Sequence, residues 1–317
     1  GDDVFAEDPE INALQEKCAE MFSMEAGLYC PSGTMTNQIA ISVHTSPGDE
    51  VICSSYSHIY HYEGAGIARL SGASVKLLEG DRGMFTSVDV EAAINPNDSH
   101  YARTSLVCLE DTCNKGGGSI WDIEEIKKVS KAARSAGLAV HLDGARLWNA
   151  IVARGVHRDS ASLSSYASNF DSISLCLSKG LGCPVGSVLL GSKSFIAEAH
   201  RVRKVLGGGM RQAGIVASAG TYAIEHHLDR LAEDHSRALA LGEAALQHPS
   251  VKSHAPIDTN IVIIELEDGV DAAGQVEVWA KKGIKCFPFS STSIRFVTHL
   301  DITDAEVEEA CRILKTN

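Results

Sequence analysis

The run Ser172-Ile-Ser-Leu-Cys-Leu-Ser178-Lys179-Gly180 is apolar and strand-like, and it ends on a lysine. An ammonium at the end of a buried strand is disfavoured because burial strips its hydration. The same desolvation makes the amine nucleophilic enough to form a Schiff base with a carbonyl. A plainer reading is a lysine whose stem lies along the strand while its head reaches water. A second run, Val140-His-Leu-Asp143-Gly-Ala-Arg146, closes on a carboxylate. In an open α/β sheet, ligands gather just outside the carboxyl ends of the strands. Alone, Asp143 also reads as a helix cap or an ion-pair partner. The two residues lie 179 − 143 = 36 positions apart, room for a crossover helix and a return strand.

As a pair, Lys179 and Asp143 acquire a joint chemistry, that of pyridoxal phosphate (PLP). The lysine would carry the cofactor's aldehyde carbon. The carboxylate would keep the pyridine nitrogen protonated, the condition under which the ring accepts electrons. PLP also needs a phosphate anchor. Pro31-Ser32-Gly33-Thr34 turns a strand through glycine into a helix N-terminus, whose free N–H groups and dipole suit an anion. The same turn also reads simply as a helix cap. The ring cluster Ser57-His58-Ile-Tyr60-His61-Tyr62-Glu63 could set one face against a flat cofactor, or form a surface patch or subunit contact. In Arg203-Lys204-Val-Leu-Gly207-Gly208-Gly209-Met-Arg211 a glycine loop lies beside three cations. Arg295, inside the apolar run Ser293-Ile-Arg-Phe-Val-Thr298, calls for a carboxylate partner. Their plainer readings are a basic surface patch and a structural ion pair.

The elements that must hold these residues follow from periodicity. Asp8-Pro9 reads as N-cap and first helical position, with Ile11, Leu14, Cys18 and Met21 on one stripe. Apolar runs at 50–54, 74–78, 105–110, 138–143, 172–177 and 187–190 alternate with helical patterns, which predicts an α/β fold with a mostly parallel sheet covered on both faces. Asp122 and Glu125 predict a capping box, and Gly137 the end of that helix. After about residue 211 a long helical stretch carrying Leu228, Leu231, Ala238, Leu239 and Leu246 leads into a small α+β unit. That unit has strands near 260–266 and 293–298, a helix at 272–282, and a last helix opened by the box Thr303…Glu306. The expected division is a large domain at 1–235 and a small one at 236–317.

Composition narrows the partners. A 317-residue chain with 44% hydrophobic and 22% charged residues is ordinary for a globular enzyme. A formal charge of −13 argues against nucleic acid or an anionic membrane, and no apolar run nears the roughly 18–20 residues of a membrane span. Nine cysteines, an odd number without metal-like spacing, read as buried reduced thiols in a cytoplasmic protein.

Taken in order along nearly the whole chain, these motifs resemble the low-specificity L-threonine aldolase family of the fold-type-I (aspartate-aminotransferase-like) PLP enzymes. The resemblance runs through Gly1-Asp-Asp-Val, Asp8-Pro9 with Asn12-Ala-Leu-Gln15, Pro31-Ser-Gly-Thr34, His58 and Glu63, Ala102-Arg103-Thr104 and Asp143-Gly-Ala-Arg146. It continues through Leu177-Ser-Lys-Gly-Leu-Gly182, Pro184-Val-Gly186, Gly207-Gly-Gly-Met-Arg-Gln212, Arg295 and Val297-Thr-His-Leu-Asp301. It implies retro-aldol cleavage of L-threonine or L-allo-threonine to glycine and acetaldehyde. By resemblance Lys179 is the Schiff-base lysine, Asp143 the partner of the ring nitrogen, and His58 the residue stacked on the ring. Gly33 and Thr34 hold the phosphate. Arg146 and Arg295 grip the substrate carboxylate, with Arg146 also near the phenolic oxygen. Lys204 and Arg211 reach the phosphate region from a neighbouring subunit of a homotetramer built as a dimer of dimers. No metal is implied.

Two departures from the family pattern bear on specificity. The family motif Glu-Asn-Thr-His-Asn reads Glu110-Asp-Thr-Cys113-Asn114 here, so Cys113 stands where a histidine contacts the substrate hydroxyl, and the hydroxyl base falls to His58 or a water it orients. The family's Arg-Ser-Asp-Thr segment, whose serine helps bind the carboxylate, is expected upstream of Gly1. Two rival readings remain. One is a PLP-dependent β-elimination of the tryptophanase kind. The other is a cofactor-retaining binding protein without turnover.

Overall fold

Seven short strands line up as one sheet in the computed structural model, which describes residues 1–316. They are β1 (Ala26–Cys30), β2 (Glu50–Ser54), β3 (Ser74–Leu78), β4 (Thr104–Glu110), β5 (Ala139–Gly144), β6 (Ser172–Cys176) and β7 (Ser187–Gly191). Their order is β1-β7-β6-β5-β4-β2-β3, with β7 alone running against its neighbours. The apolar runs predicted a mostly parallel sheet, and the sheet is that. Strands β6 and β7 are buried at every position, as strands covered by helices on both faces must be. β3 closes the edge and alternates exposed with half-buried residues before its last position, since an edge strand is open on one side.

Helix α1 (Pro9–Met21) starts where Asp8 accepts hydrogen bonds from the N–H groups of Glu10 and Ile11, with Pro9 at the first position. Its stripe buries Ile11, Leu14, Cys18 and Ala19, while Met21 is only half-buried. Helix α2 (Gly33–His44) is capped by Ser32 Oγ and buries Thr36 through Ile41 against β5, β6 and β7. The chain divides into two compact units, one of residues 1–116 and 120–228, the other of 117–119 and 229–317. The division falls a few residues earlier than the expected 235, because the start of helix Leu231–Ala245 is tied into the second unit: Thr298 Oγ1 donates to the Asp234 carbonyl at 2.6 Å.

Within the second unit, β8 (Val251–His254), β9 (Ile261–Leu266), β10 (Phe287–Pro288) and β11 (Ser293–Val297) form an antiparallel sheet in the order β10-β11-β9-β8. Trp279, Val262, Ile264, Ile294 and Leu314 sit in its core. The box Thr303…Glu306 forms as expected. The other predicted box does not. Asp122 caps its helix through the Glu124 N–H, but the Glu125 carboxylate instead accepts from the Ser87 N–H of a neighbouring helix, at 2.9 Å. The long stretch after 211 is two helices, Gly214–His226 and Leu231–Ala245. Leu239 and Leu246 face outward rather than inward.

All nine cysteines are free thiols, seven of them buried, and burial pushes Cys18 and Cys53 up to about 12. Among the described residues no helix is long and apolar enough to cross a membrane.

The Asp8 carboxylate also accepts from the Gly214 N–H at 3.1 Å, so it serves two helix starts. Asp8→Ala is expected to destabilise the fold by about 1–2 kcal/mol, read as a lower urea midpoint, with Asp8→Asn losing less. An unchanged midpoint in the alanine variant would contradict this role.

Candidate active site

Three neighbouring parallel strands bring their carboxyl ends to one level. Glu110 ends β4 in register with Asp143 on β5, and Asp143 is in register with Ser174 on β6. Lys179 follows β6 in a turn closed by bonds from Gly182 N–H to the Lys179 carbonyl (2.9 Å) and from Leu177 N–H to the Gly186 carbonyl (3.0 Å). Among the described residues the Lys179 ammonium has no ion-pair partner. The start of α2 reaches the same edge. A Cβ on Gly33 would stand 3.6 Å from Ser187 Oγ and 4.0 Å from Cys176 Cβ, and Thr36 Oγ1 lies 2.6 Å from Ser174 Oγ. The sheet therefore brings Lys179, Asp143 and the Gly33 turn to its carboxyl edge, the side on which α/β sheets hold ligands. Thr34 is exposed beside Gly33.

Asp143 is buried, and its Oδ1 accepts from the Ala145 N–H at 3.1 Å. Its Oδ2 is buried with no hydrogen-bond partner among the described residues. An acceptor left in that condition costs about 1–3 kcal/mol, more when charged. His58 is close by: ligand atoms of His58, Glu63 and Asp143 lie within 4.8 Å of one another. The His58 backbone N–H donates to Glu110 Oε2 at 2.8 Å, and its Nδ1 meets Glu63 Oε1 at 3.0 Å. Since a carboxylate only accepts, Nδ1 carries the proton and Nε2 is left for another partner. The bond from Glu63 raises the His58 pKa, burial opposes it, and the charges of Asp143, Glu63 and Glu110 add to the rise.

The grip on His58 extends inward through a chain of polar groups. Asn37 Nδ2 and Gln38 Nε2 donate to the Glu63 carboxylate at 2.9 and 2.6 Å. That turns Asn37 Oδ1 toward His141 Nε2 at 3.1 Å, so Nε2 is the protonated nitrogen of His141. His141 Nδ1 must then accept from Ser172 Oγ (2.8 Å), and Ser172 Oγ accepts from His44 Nε2 (2.9 Å). Burial pushes His141 down to about 3 and His44 to about 4, so both rings are neutral and every bond keeps one direction.

The remaining predicted residues divide. Arg146 stands just before helix Leu147–Ala153 and donates from Nη1 to Asn114 Oδ1 at 3.1 Å. Cys113 is buried beside Gly83, and burial pushes its thiol well up. Of the basic cluster, Lys204 is exposed in the last turn of helix Lys193–Val205, and Arg211 Nε donates to Asp2 at 2.6 Å. Arg203 is fully buried, bonded to the Tyr29 carbonyl (2.6 Å) and to Asp3 (2.8 Å), which makes it structural. Arg295 belongs to the second unit, on β11, between the rings of Phe287 and Phe289 at 5.7 and 5.5 Å.

Residue types alone did not single out Glu110 or the Asn37–His141–Ser172 chain. The available signal was His141, an imidazole inside an apolar strand, which has to find partners when buried.

A family model described as "Beta-eliminating lyase" matches residues 1–268. The chain belongs to the beta-eliminating lyase family. Within this family of lyases it is similar to low-specificity L-threonine aldolase 1 of Arabidopsis thaliana, 39% identical over 313 residues that cover 96% of this chain and 86% of that protein. The resemblance to the threonine aldolases read from the motifs is thereby borne out. The fold is similar to the crystal structure of a putative L-allo-threonine aldolase from Listeria monocytogenes, with a TM-score of 0.82 at 23% identity, covering 99% of this chain and 88% of that one. It is also similar to a structure of SPT with PLP, with a TM-score of 0.72 at 18% identity, covering 97% and 76%. The expected fold type I is thus the fold of this family member.

For this lyase-family chain the Glu63–His58 pair gives a titration test. A raised His58 pKa stabilises the fold below the ordinary histidine value, and that contribution is lost as pH rises through the raised one. Glu63→Gln removes the leading cause, so the His58 ring titration followed by NMR should shift to lower pH. An unmoved midpoint would exclude Glu63 as the partner.

Proposed function

We propose that the protein binds PLP at the carboxyl ends of β4, β5 and β6 and cleaves L-threonine and L-allo-threonine to glycine and acetaldehyde. The observation that carries the reading is the buried, unpartnered Asp143 Oδ2, a position that suits one pyridinium N–H. Other groups fit the same cofactor. Ser187 Oγ is buried without a partner at the N-terminal turn of α2, where a phosphate would meet Gly33 and Thr34. Lys179 is half-buried and unpaired at the sheet edge, suited to hold the aldehyde carbon. When bound, PLP supplies a sink for the electron pair left on Cα as the Cα–Cβ bond breaks.

The chain's own residues supply the rest. Asp143 keeps the ring nitrogen protonated. Arg146 would take the substrate carboxylate and so hold the substrate in one orientation. His58 has Nδ1 committed to Glu63, so its Nε2 is the atom available to take the β-hydroxyl proton, directly or through a water it orients. Cys113, buried and with its thiol pushed well up, would contribute shape rather than a proton. We also read the protein as a cytoplasmic homo-oligomer, a dimer of dimers. The free thiols support the compartment. The exposed Val205 and Ile215, flanking Lys204 and Arg211, support a subunit contact there.

The family description favours a second reading, β-elimination, which would release pyruvate and ammonia from serine. The deciding experiment loads the protein with PLP and analyses products from L-threonine, L-allo-threonine and L-serine. Acetaldehyde and glycine are expected; pyruvate and ammonia would overturn the aldol reading. Lys179→Ala should lose turnover and the visible absorbance of the bound cofactor. His58→Asn should lower kcat by about 10²–10⁴-fold, and an unchanged kcat would remove His58 as the proton acceptor.

A further inference from the structure

Glu110 is a buried carboxyl at the end of β4 that the proposed reaction leaves without a task. Its two oxygens have separate partners on separate segments. Oε2 accepts from the His58 N–H at 2.8 Å, and Oε1 accepts from the Asn114 N–H at 2.8 Å. Asn114 in turn offers Oδ1 to Arg146 Nη1 at 3.1 Å. One side chain therefore ties the His58 turn to the loop that holds Arg146. The ionised side chain matches this geometry, since it presents two acceptors and no donor, whereas an amide would turn an NH2 group toward one of the two N–H groups.

The position is a costly one for an acid. Glu110 stands beside Asp143 in strand register, and burial followed by the Asp143 charge pushes its carboxyl from the usual 4.5 up to about 7. A carboxyl raised in this way contributes stability below its ordinary pKa that is lost as pH rises through about 7. Cysteine thiols and the His58 ring are the other titratable groups that face it. The fold keeps an acid where an uncharged residue would relieve that repulsion, as functional sites do.

We propose that Glu110 is a positioning residue for the lyase reaction, fixing the separation of His58 and Arg146 and so placing the substrate's hydroxyl and carboxylate together. The proposal rests on the PLP-lyase reading above. Glu110 touches neither substrate nor ring; it acts through His58 and through Asn114.

The test compares Glu110→Gln, Asn114→Ala and Glu110→Gln/His58→Asn, using steady-state kinetics with L-threonine and the induced circular dichroism of bound PLP. Glu110→Gln should lower kcat by about 10–100-fold and change the dichroism of the cofactor band. In the His58→Asn background the same change should lower kcat by less than about twofold more, the non-additivity of residues acting as a unit. Asn114→Ala leaves the Glu110 carboxylate in place and should raise KM about tenfold with kcat nearly unchanged, so it decides the matter if the glutamine variant does not fold. Equal losses in both backgrounds, an unchanged KM in Asn114→Ala, or wild-type dichroism and kinetics in Glu110→Gln would overturn the proposal. Wild-type protein that binds PLP yet releases no acetaldehyde would instead sink the cleavage reading, and the dichroism comparison would then decide the positioning role alone.

Discussion

A carboxylate oxygen buried without a donor is a debt the rest of the fold has to justify. Asp143 Oδ2 is in that state at the end of β5, while its other oxygen is satisfied by the Ala145 N–H. Removing one oxygen of an ionised group from water without a partner is among the more expensive things a core can do. A cationic N–H arriving from outside the protein would resolve it, and a protonated pyridine nitrogen would supply the matching charge. The same edge of the sheet presents a lysine and, beside a helix start, the Ser187 hydroxyl, both without a partner among the described residues, so the groups that would meet the other ends of such a ring lie along the same carboxyl edge.

Around that oxygen the protein has placed polar groups whose directions are all determined. Glu63 accepts from His58, Asn37 and Gln38, and the amide of Asn37 can point only one way. From there the tautomers of His141 and His44 follow without further choice. A network in which each bond has one direction rigidifies its members, and its low-dielectric surroundings make a wrong orientation costly. His58 is thereby held with one nitrogen bound and the other available. Glu110 accepts from the His58 backbone N–H. Two carboxyls and a histidine beside Asp143 form an electrostatic setting tuned to a positive ligand.

Much of this was legible in the residues. Strand β2 was read to its exact bounds, because an apolar run between Gly48 and a serine pair has few other interpretations. Lys179 and Asp143 were legible because polar groups that close apolar strands stand out. What escaped has physical reasons. The reversed direction of β7 leaves no mark on its composition, since a buried strand is apolar whichever way it runs. β8, reading Val-Lys-Ser-His, and the two-residue β10 carry no periodicity at all. Glu125 fits a capping box by spacing, yet Ser87, in a helix distant in sequence, offers it a free N–H. Arg203, Lys204 and Arg211 look alike as a cluster, and only Asp2 and Asp3, at the far end of the unit's sequence, separate the buried arginine from the exposed cations. Glu110 went unread because its partners are backbone N–H groups, which every residue type possesses.

The central claim concerns one proton, on the ring nitrogen facing Asp143. PLP labelled with nitrogen-15 in the ring and bound to the protein reports it directly, because the chemical shifts of protonated and neutral pyridine nitrogens are well separated. The account predicts a protonated nitrogen in the wild type at neutral pH and a neutral one in Asp143→Asn. A neutral nitrogen in the wild type, or a protonated one that survives the substitution, would contradict it.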